Sequence, residues 1–183
     1  MSFVIRALAA AIVVCAIPLS PLVADADDAA AEKGRVSAQS CFEQLTKLEG
    51  EWVGKLKHGD EEAGETTVRY RLTGAGSALV EHLFEGTNHE MITVYHLDGD
   101  RLILTHYCAA KNQPRMCAKL GDDPRTIAFK FLDGTNMDPA KDMHMHEATI
   151  RVVDEDHLQS EWTSFMNGKP LGKASFDLKR KQD

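Results

Sequence analysis

The sequence predicts an all-β fold: about ten antiparallel strands in an up-and-down barrel, with one short N-terminal helix capping an end. Three observations predict it. From Glu51 onward the apolar residues recur with a period of two, the signature of strands. Gly, Asn, Asp and Pro return about every dozen residues, and the linkers they form are too short for the crossovers of parallel strands. Finally, about ten strands beside a single helix make more sheet than an open layer holds without exposing its edges, and closure removes those edges. A two-sheet sandwich is the alternative architecture.

Met1 to Arg6 is a short segment with one cation, Ala7 to Ile17 is apolar, Pro18 and Pro21 interrupt it, and Ala24-Asp25-Ala26 offers a small-residue cleavage site. That order reads as a signal peptide over 1–26, its apolar run too short to span a membrane. The expectation is a periplasmic or secreted protein with no membrane span in its mature form. Cys15 leaves with the leader; Ile12-Val13-Val14 before it is not a lipidation signal. Residues 27–36 read as a flexible lead-in and 37–183 as one domain. A helix is predicted from Ser37 to Leu48, with Phe42, Leu45 and Leu48 on one face, Ser40 and Glu43 as a capping box, and Gly50 as the left-handed residue that ends it.

The predicted strands are Glu51–Lys57, Thr66–Leu72, Ala78–Glu85, Met91–Leu97, Leu102–Ala109, Arg115–Lys119, Thr126–Leu132, Met143–Val153, Leu158–Phe165 and Leu171–Arg180. Turn clusters separate most of them, among them Gly74-Ala75-Gly76, Asp98-Gly99-Asp100, Asn112-Gln113-Pro114 and Asn167-Gly168.

Gly50-Glu51-Trp52, opening the first strand after a short helix, resembles the G-x-W signature of the calycin superfamily, which includes the lipocalins. That resemblance implies that Trp52 closes the barrel end and that a basic residue of the last strand, here Arg180, packs over it. The stretches Leu104–Cys108 through Asn112–Met116, His144-Met145-His146 and Glu161-Trp162 are similar to a bacterial family of small lipocalin-like barrels without an assigned activity. More distantly, Trp52 with Gly54 is similar to the nitrobindin type of haem barrel. The haem-binding His of that type lies near the C-terminus, and no His follows His157 here, which argues against histidine-ligated haem.

His144-Met145-His146 is the sharpest local feature. At strand spacing both imidazoles fall on the face that continues as Ala148, Ile150 and Val152, so both are expected to point inward. A tight turn at Gly99-Asp100 pairs Thr93 with His106 and Tyr95 with Leu104. Both faces of that hairpin are largely apolar; the larger neighbours Leu102 and Leu104 favour His106 inward, and His96 takes its place if the register slips by one. His82, between Val80 and Phe84, is a further inward candidate. The candidate ligand contacts are therefore His82, Tyr95, His106, His144 and His146, with His106, His144 and His146 as the set for a divalent metal. Tyr70, Arg71, Arg101 and Arg115 are candidates for meeting a bound carboxylate, whereas Glu81, Glu85 and Glu161 read as outer-face residues. Cys108 and Cys117 lie symmetrically about Asn112-Gln113, where a tight hairpin sets them opposite one another for a disulfide; a different turn at Pro114 shifts that register.

With 28 acidic against 21 basic residues the chain is a poor partner for nucleic acid. No nucleophile elbow, zincin, P-loop or dinucleotide motif occurs. The leading expectation is a module that binds a small hydrophobic or amphipathic molecule inside the barrel. A metal-dependent hydrolase or isomerase and a structural envelope protein with a filled core are the alternatives.

Overall fold

The computed structural model describes residues 36–182; the leader, Cys15 and the lead-in up to residue 35 lie outside the described residues. The described residues form one α-helix, α1 (Ala38–Thr46), followed by ten strands. These are β1 (Gly50–His58), β2 (Glu61–Thr73), β3 (Ala78–Leu83), β4 (Met91–Asp98), β5 (Arg101–Tyr107), β6 (Gln113–Lys119), β7 (Thr126–Thr135), β8 (His144–Asp154), β9 (His157–Met166) and β10 (Lys169–Arg180). Each strand pairs antiparallel with its sequence neighbours, and β1 pairs with β10 to close the barrel. The sandwich alternative is thereby set aside. Glycines with left-handed backbone, Gly59, Gly99 and Gly168, sit in three of the tight reversals.

The helix starts where the sequence reading places it, but its capping box lies one turn earlier than Ser40 and Glu43. Ser37 is the N-cap: its side chain accepts from Ser40 N at 3.0 Å, while Ser40 Oγ accepts from Ser37 N at 2.9 Å. The buried face of α1 begins at Ala38 and continues through Cys41, Phe42 and Leu45, so the cap must precede Ala38. At the other end Lys47 stays right-handed, and Leu48 N donates to Leu45 O at 2.9 Å. Gly50 does have a positive φ of 129°, but as the first residue of β1. A Cβ there would meet Arg180 Nη1 at 3.0 Å, so the glycine serves a close approach rather than a helix end.

The apolar stripe of α1 covers the barrel end beside β4 and β5. Trp52, wholly buried beneath it, donates from Nε1 to Leu48 O at 2.7 Å. The guanidinium of Arg180 lies over the Trp52 ring at 4.4 Å. It donates to Lys47 O (2.7 Å) and Glu49 O (2.8 Å), satisfying carbonyls after the helix end, and to Glu155 O (3.0 Å) in the β8–β9 turn. Inward residues of non-adjacent strands meet across the interior, as Tyr95 of β4 and Phe129 of β7 do with ring centroids 5.9 Å apart. Full burial of each large apolar side chain contributes about 1.5–3 kcal/mol. Because successive strands reverse, the β1–β2, β3–β4, β5–β6, β7–β8 and β9–β10 connections all lie at the end opposite α1.

Candidate ligand-binding site

The hairpin of β4 and β5 pairs Thr93 with His106 and Tyr95 with Leu104. His106 is inside: it is 3% exposed and its ring lies 5.1 Å from that of Trp162, which belongs to β9 on another part of the wall. Its Nδ1 is 2.9 Å from Thr93 Oγ1. Its Nε2 is buried and has no hydrogen-bond partner. Burial depresses the imidazole pKa to about 4, so the ring is neutral near pH 7.

Beside it lies a polar cluster that the alternation of β3 conceals. Glu81 is 4% exposed and belongs to the inward set with Leu79 and Leu83; it is not an outer-face residue. Tyr70 donates to Glu81 Oε1 at 3.1 Å and Tyr95 to Oε2 at 2.6 Å. Thr93 is the cross-strand partner of Glu81 on β4, and its hydroxyl counts among the groups that favour the Glu81 carboxylate. Burial raises the Glu81 carboxyl above its ordinary value, opposed by those three hydroxyls. The same burial, with the neighbouring carboxylate, pushes both tyrosines well above theirs. The sequence reading missed Glu81 and Thr93. The signal was the Leu-x-Glu-x-Leu spacing of 79–83, which competes with Val80-x-His82-x-Phe84 for the inward face.

His82 accordingly alternates to the other side of β3, where its Nδ1 lies 4.0 Å from Glu90 Oε1. Phe84 leaves the strand with a left-handed φ of 56°. Together with His58, Thr87, His89, Met91 and Ala109 it lines a pocket of about 470 Å³ at the barrel end opposite α1. Met91 packs against the core and is two residues from Thr93 on the same strand, roughly 7 Å along it.

His144 and His146 form a second cluster. Strict alternation fails there: Met145 pairs with Ser164 and Glu147 with Thr163, leaving His146 in a bulge. Met145, rather than belonging to an outer face, packs against the core. His144 is wholly buried, with Nδ1 2.9 Å from Asp142 O. A carbonyl can only accept, so Nδ1 carries the proton and His144 Nε2 accepts from His146 Nδ1 at 2.9 Å. The His146 ring is stacked on both sides, on Phe165 at 4.0 Å and Phe131 at 4.9 Å. Desolvation, then the proximity of His144, lowers the His146 pKa.

Other expectations are corrected. His106 contacts Thr93 and Trp162, and His144 and His146 contact Phe131 and Phe165; among the described residues no group of three or more His, Cys, Asp or Glu is placed to hold a metal. Cys41, Cys108 and Cys117 are free thiols. The turn closes from Cys108 to Lys111, whose φ is 67°, so Cys108 faces Asn112 and Cys117 pairs with Ile103. Arg71 is exposed, while Arg101 and Arg115 pair with Asp98 and Asp133 on the surface, away from any inner carboxylate.

No family model and no curated protein matches the chain. Solved structures do. A protein of unknown function from the DUF3598 family of Nostoc punctiforme PCC 73102 has a TM-score of 0.52 at 15% identity, covering 75% of this chain and 48% of its own. This chain therefore spans about half the length of the Nostoc protein. Rv2717c from M. tuberculosis has a TM-score of 0.52 at 16% identity, covering 78% of this chain and 98% of its own. At such identity these likenesses establish the small β-barrel fold alone.

Proposed function

We propose that this barrel binds a small, neutral, largely apolar molecule through the end opposite α1, with His106 as its inner polar contact. One observation carries the reading: His106 Nε2 is buried, held in place through Thr93 and Trp162, and left without a partner. An unmet buried polar atom costs about 1–3 kcal/mol, a cost a guest atom removes by hydrogen-bonding to it. The apolar pocket of about 470 Å³ at that end lies within the size range of small-molecule sites. A neutral imidazole above a buried carboxyl group disfavours an anionic headgroup, so the guest is uncharged.

Titration with the neutral dye Nile red tests this. Saturable binding at one site is expected, with displacement by 1-dodecanol weakened roughly tenfold in His106→Leu. Absence of saturable binding in the wild-type protein refutes the proposal. The kinship with calycin-type barrels is part of the same reading, supported by Gly50-Glu51-Trp52 and the Arg180 stack. Export is supported by the apolar leader and Ala24-Asp25-Ala26, and N-terminal sequencing of protein recovered outside the cytoplasm tests it.

A further inference from the structure

We propose that Asn112 is a second polar contact of the guest, whose uncharged head therefore carries a hydrogen-bond donor; a primary amide is the simplest head that serves both Asn112 and His106. The inference rests on the binding reading above and names the class of molecule it takes. Asn112 ends the β5–β6 turn, at the barrel end opposite α1, where Cys108 N donates to its backbone oxygen at 3.1 Å. Ala109 of the same turn lines the apolar pocket. Asn112 is 3% exposed, and burial alternates from it along the chain: Pro114 and Met116 are buried, while Gln113 is half-buried and Arg115 exposed. Met116 belongs to the core, so Asn112 shares the inward face that β6 continues. Its Nδ2 donates to Met143 O at 2.7 Å. A carbonyl can only accept, so this bond fixes which way the amide points and leaves the oxygen at the other end. That oxygen, Oδ1, is buried and has no hydrogen-bond partner among the described residues.

The pairing of β5 with β6, Leu104 with Met116 and Thr105 with Arg115, runs on to His106 opposite Pro114 and Cys108 opposite Asn112. Asn112 is thus the diagonal neighbour of His106 on the inner face, with Cα atoms roughly 7–8 Å apart. Each of these two buried side chains leaves one atom unmet, Oδ1 of Asn112 and Nε2 of His106. An amide oxygen carries no proton, so whatever completes Asn112 must donate to it. The tautomer of His106 does not enter. A primary amide offers Nε2 an N–H where that nitrogen is bare and its C=O where it is protonated, and in both cases keeps an N–H for Asn112. A methyl ketone of the same shape has the carbonyl but sets a methyl group against Oδ1.

Octanamide and 2-nonanone test the inference, because they differ only in NH2 against CH3 on the same carbonyl and chain. The amide is the costlier of the two to take out of water, so an apolar cavity alone favours the ketone. Displacement of Nile red by each probe reads the selectivity. A preference for octanamide of roughly tenfold is expected in wild type, falling to unity or reversing in Asn112→Val. Equal displacement by both probes in wild type, or an undiminished preference in Asn112→Val, overturns the proposal. Carbon NMR of wild-type protein labelled in asparagine reads the same contact with neither dye nor variant. The Asn112 Cγ resonance should move downfield saturably with octanamide and stay in place with 2-nonanone; no response, or the same response to both, overturns the proposal. Failure of the dye to bind removes the binding reading instead, and the Cγ titration still decides this one.

Discussion

Replacing Arg180 by Lys measures how strongly the last strand secures the helix end. The guanidinium donates to Lys47 O, Glu49 O and Glu155 O while lying 4.4 Å from the Trp52 ring. A lysine ammonium is a single point that cannot lie flat on the indole and reach three separated carbonyls, so about two of the three bonds are lost. Hydrogen bonds to charged groups contribute about 1.5–3 kcal/mol each. The side chain is 25% exposed, which places them at the lower end of that range. With about 0.5–1 kcal/mol from the stack, the expected loss is about 3–4 kcal/mol. At a urea slope of about 1–3 kcal/mol per molar this lowers the midpoint by roughly 1–4 M. Urea unfolding followed by circular dichroism and tryptophan fluorescence is the assay. A midpoint shift below about 0.3 M at unchanged slope refutes the assigned role of the fork.

Further outcomes follow from the interior. His106 has a native pKa of about 4 against about 6.5 unfolded, so its contribution is fully present above about pH 6.5 and is lost as pH falls toward 4. Some 3 kcal/mol of pH dependence in that window should vanish in His106→Leu; parallel stability curves exclude this. Glu81 is shifted the other way: its contribution is full below the unfolded value of about 4.3 and is lost as pH rises through the elevated native value. Glu81→Gln should therefore gain on the wild type as pH increases, which urea melts at a series of pH values will show. Gly54→Ala should unfold the barrel or cost several kcal/mol, because a Cβ there would meet Asp177 O at 2.1 Å across the β1–β10 pairing; a well-folded variant of near wild-type stability counts against this register. Cys108 and Cys117 should both titrate as thiols after unfolding without reductant, and reductant should leave the thermal midpoint of the folded protein unchanged.

Strand order and most boundaries were legible in the chain because turn residues and two-residue alternation are local properties; the exceptions are β2, which starts at Glu61 rather than Thr66, and β7, which runs on to Thr135. The turn at Gly99-Asp100 even set the Thr93–His106 register. What alternation does not reveal is which of two apolar faces turns inward. On β3 the competing sets are Leu79-Glu81-Leu83 and Val80-His82-Phe84, and the choice is made by partners on β2 and β4: Tyr70 opposite Glu81, and Thr93 opposite Glu81. Bulges are equally invisible. The extra residue at His146 undoes an otherwise regular pattern, and the stacking on Phe131 and Phe165 depends on two other strands. The Cys108–Cys117 expectation failed for a smaller reason: the left-handed residue of the turn is Lys111, a residue type that carries no turn signal.

The pairing of β1 with β10 brings together Trp52 and Arg180, positions more than a hundred residues apart. Such distant pairing makes for slow folding, on the scale of milliseconds to seconds, since the seam can zip only once β10 is available. A ribosome making this polypeptide leaves the sheet nothing to close with until the codons of β10 are read. Any product cut short of them carries two naked sheet margins, and those margins are what a chaperone or a protease would meet first.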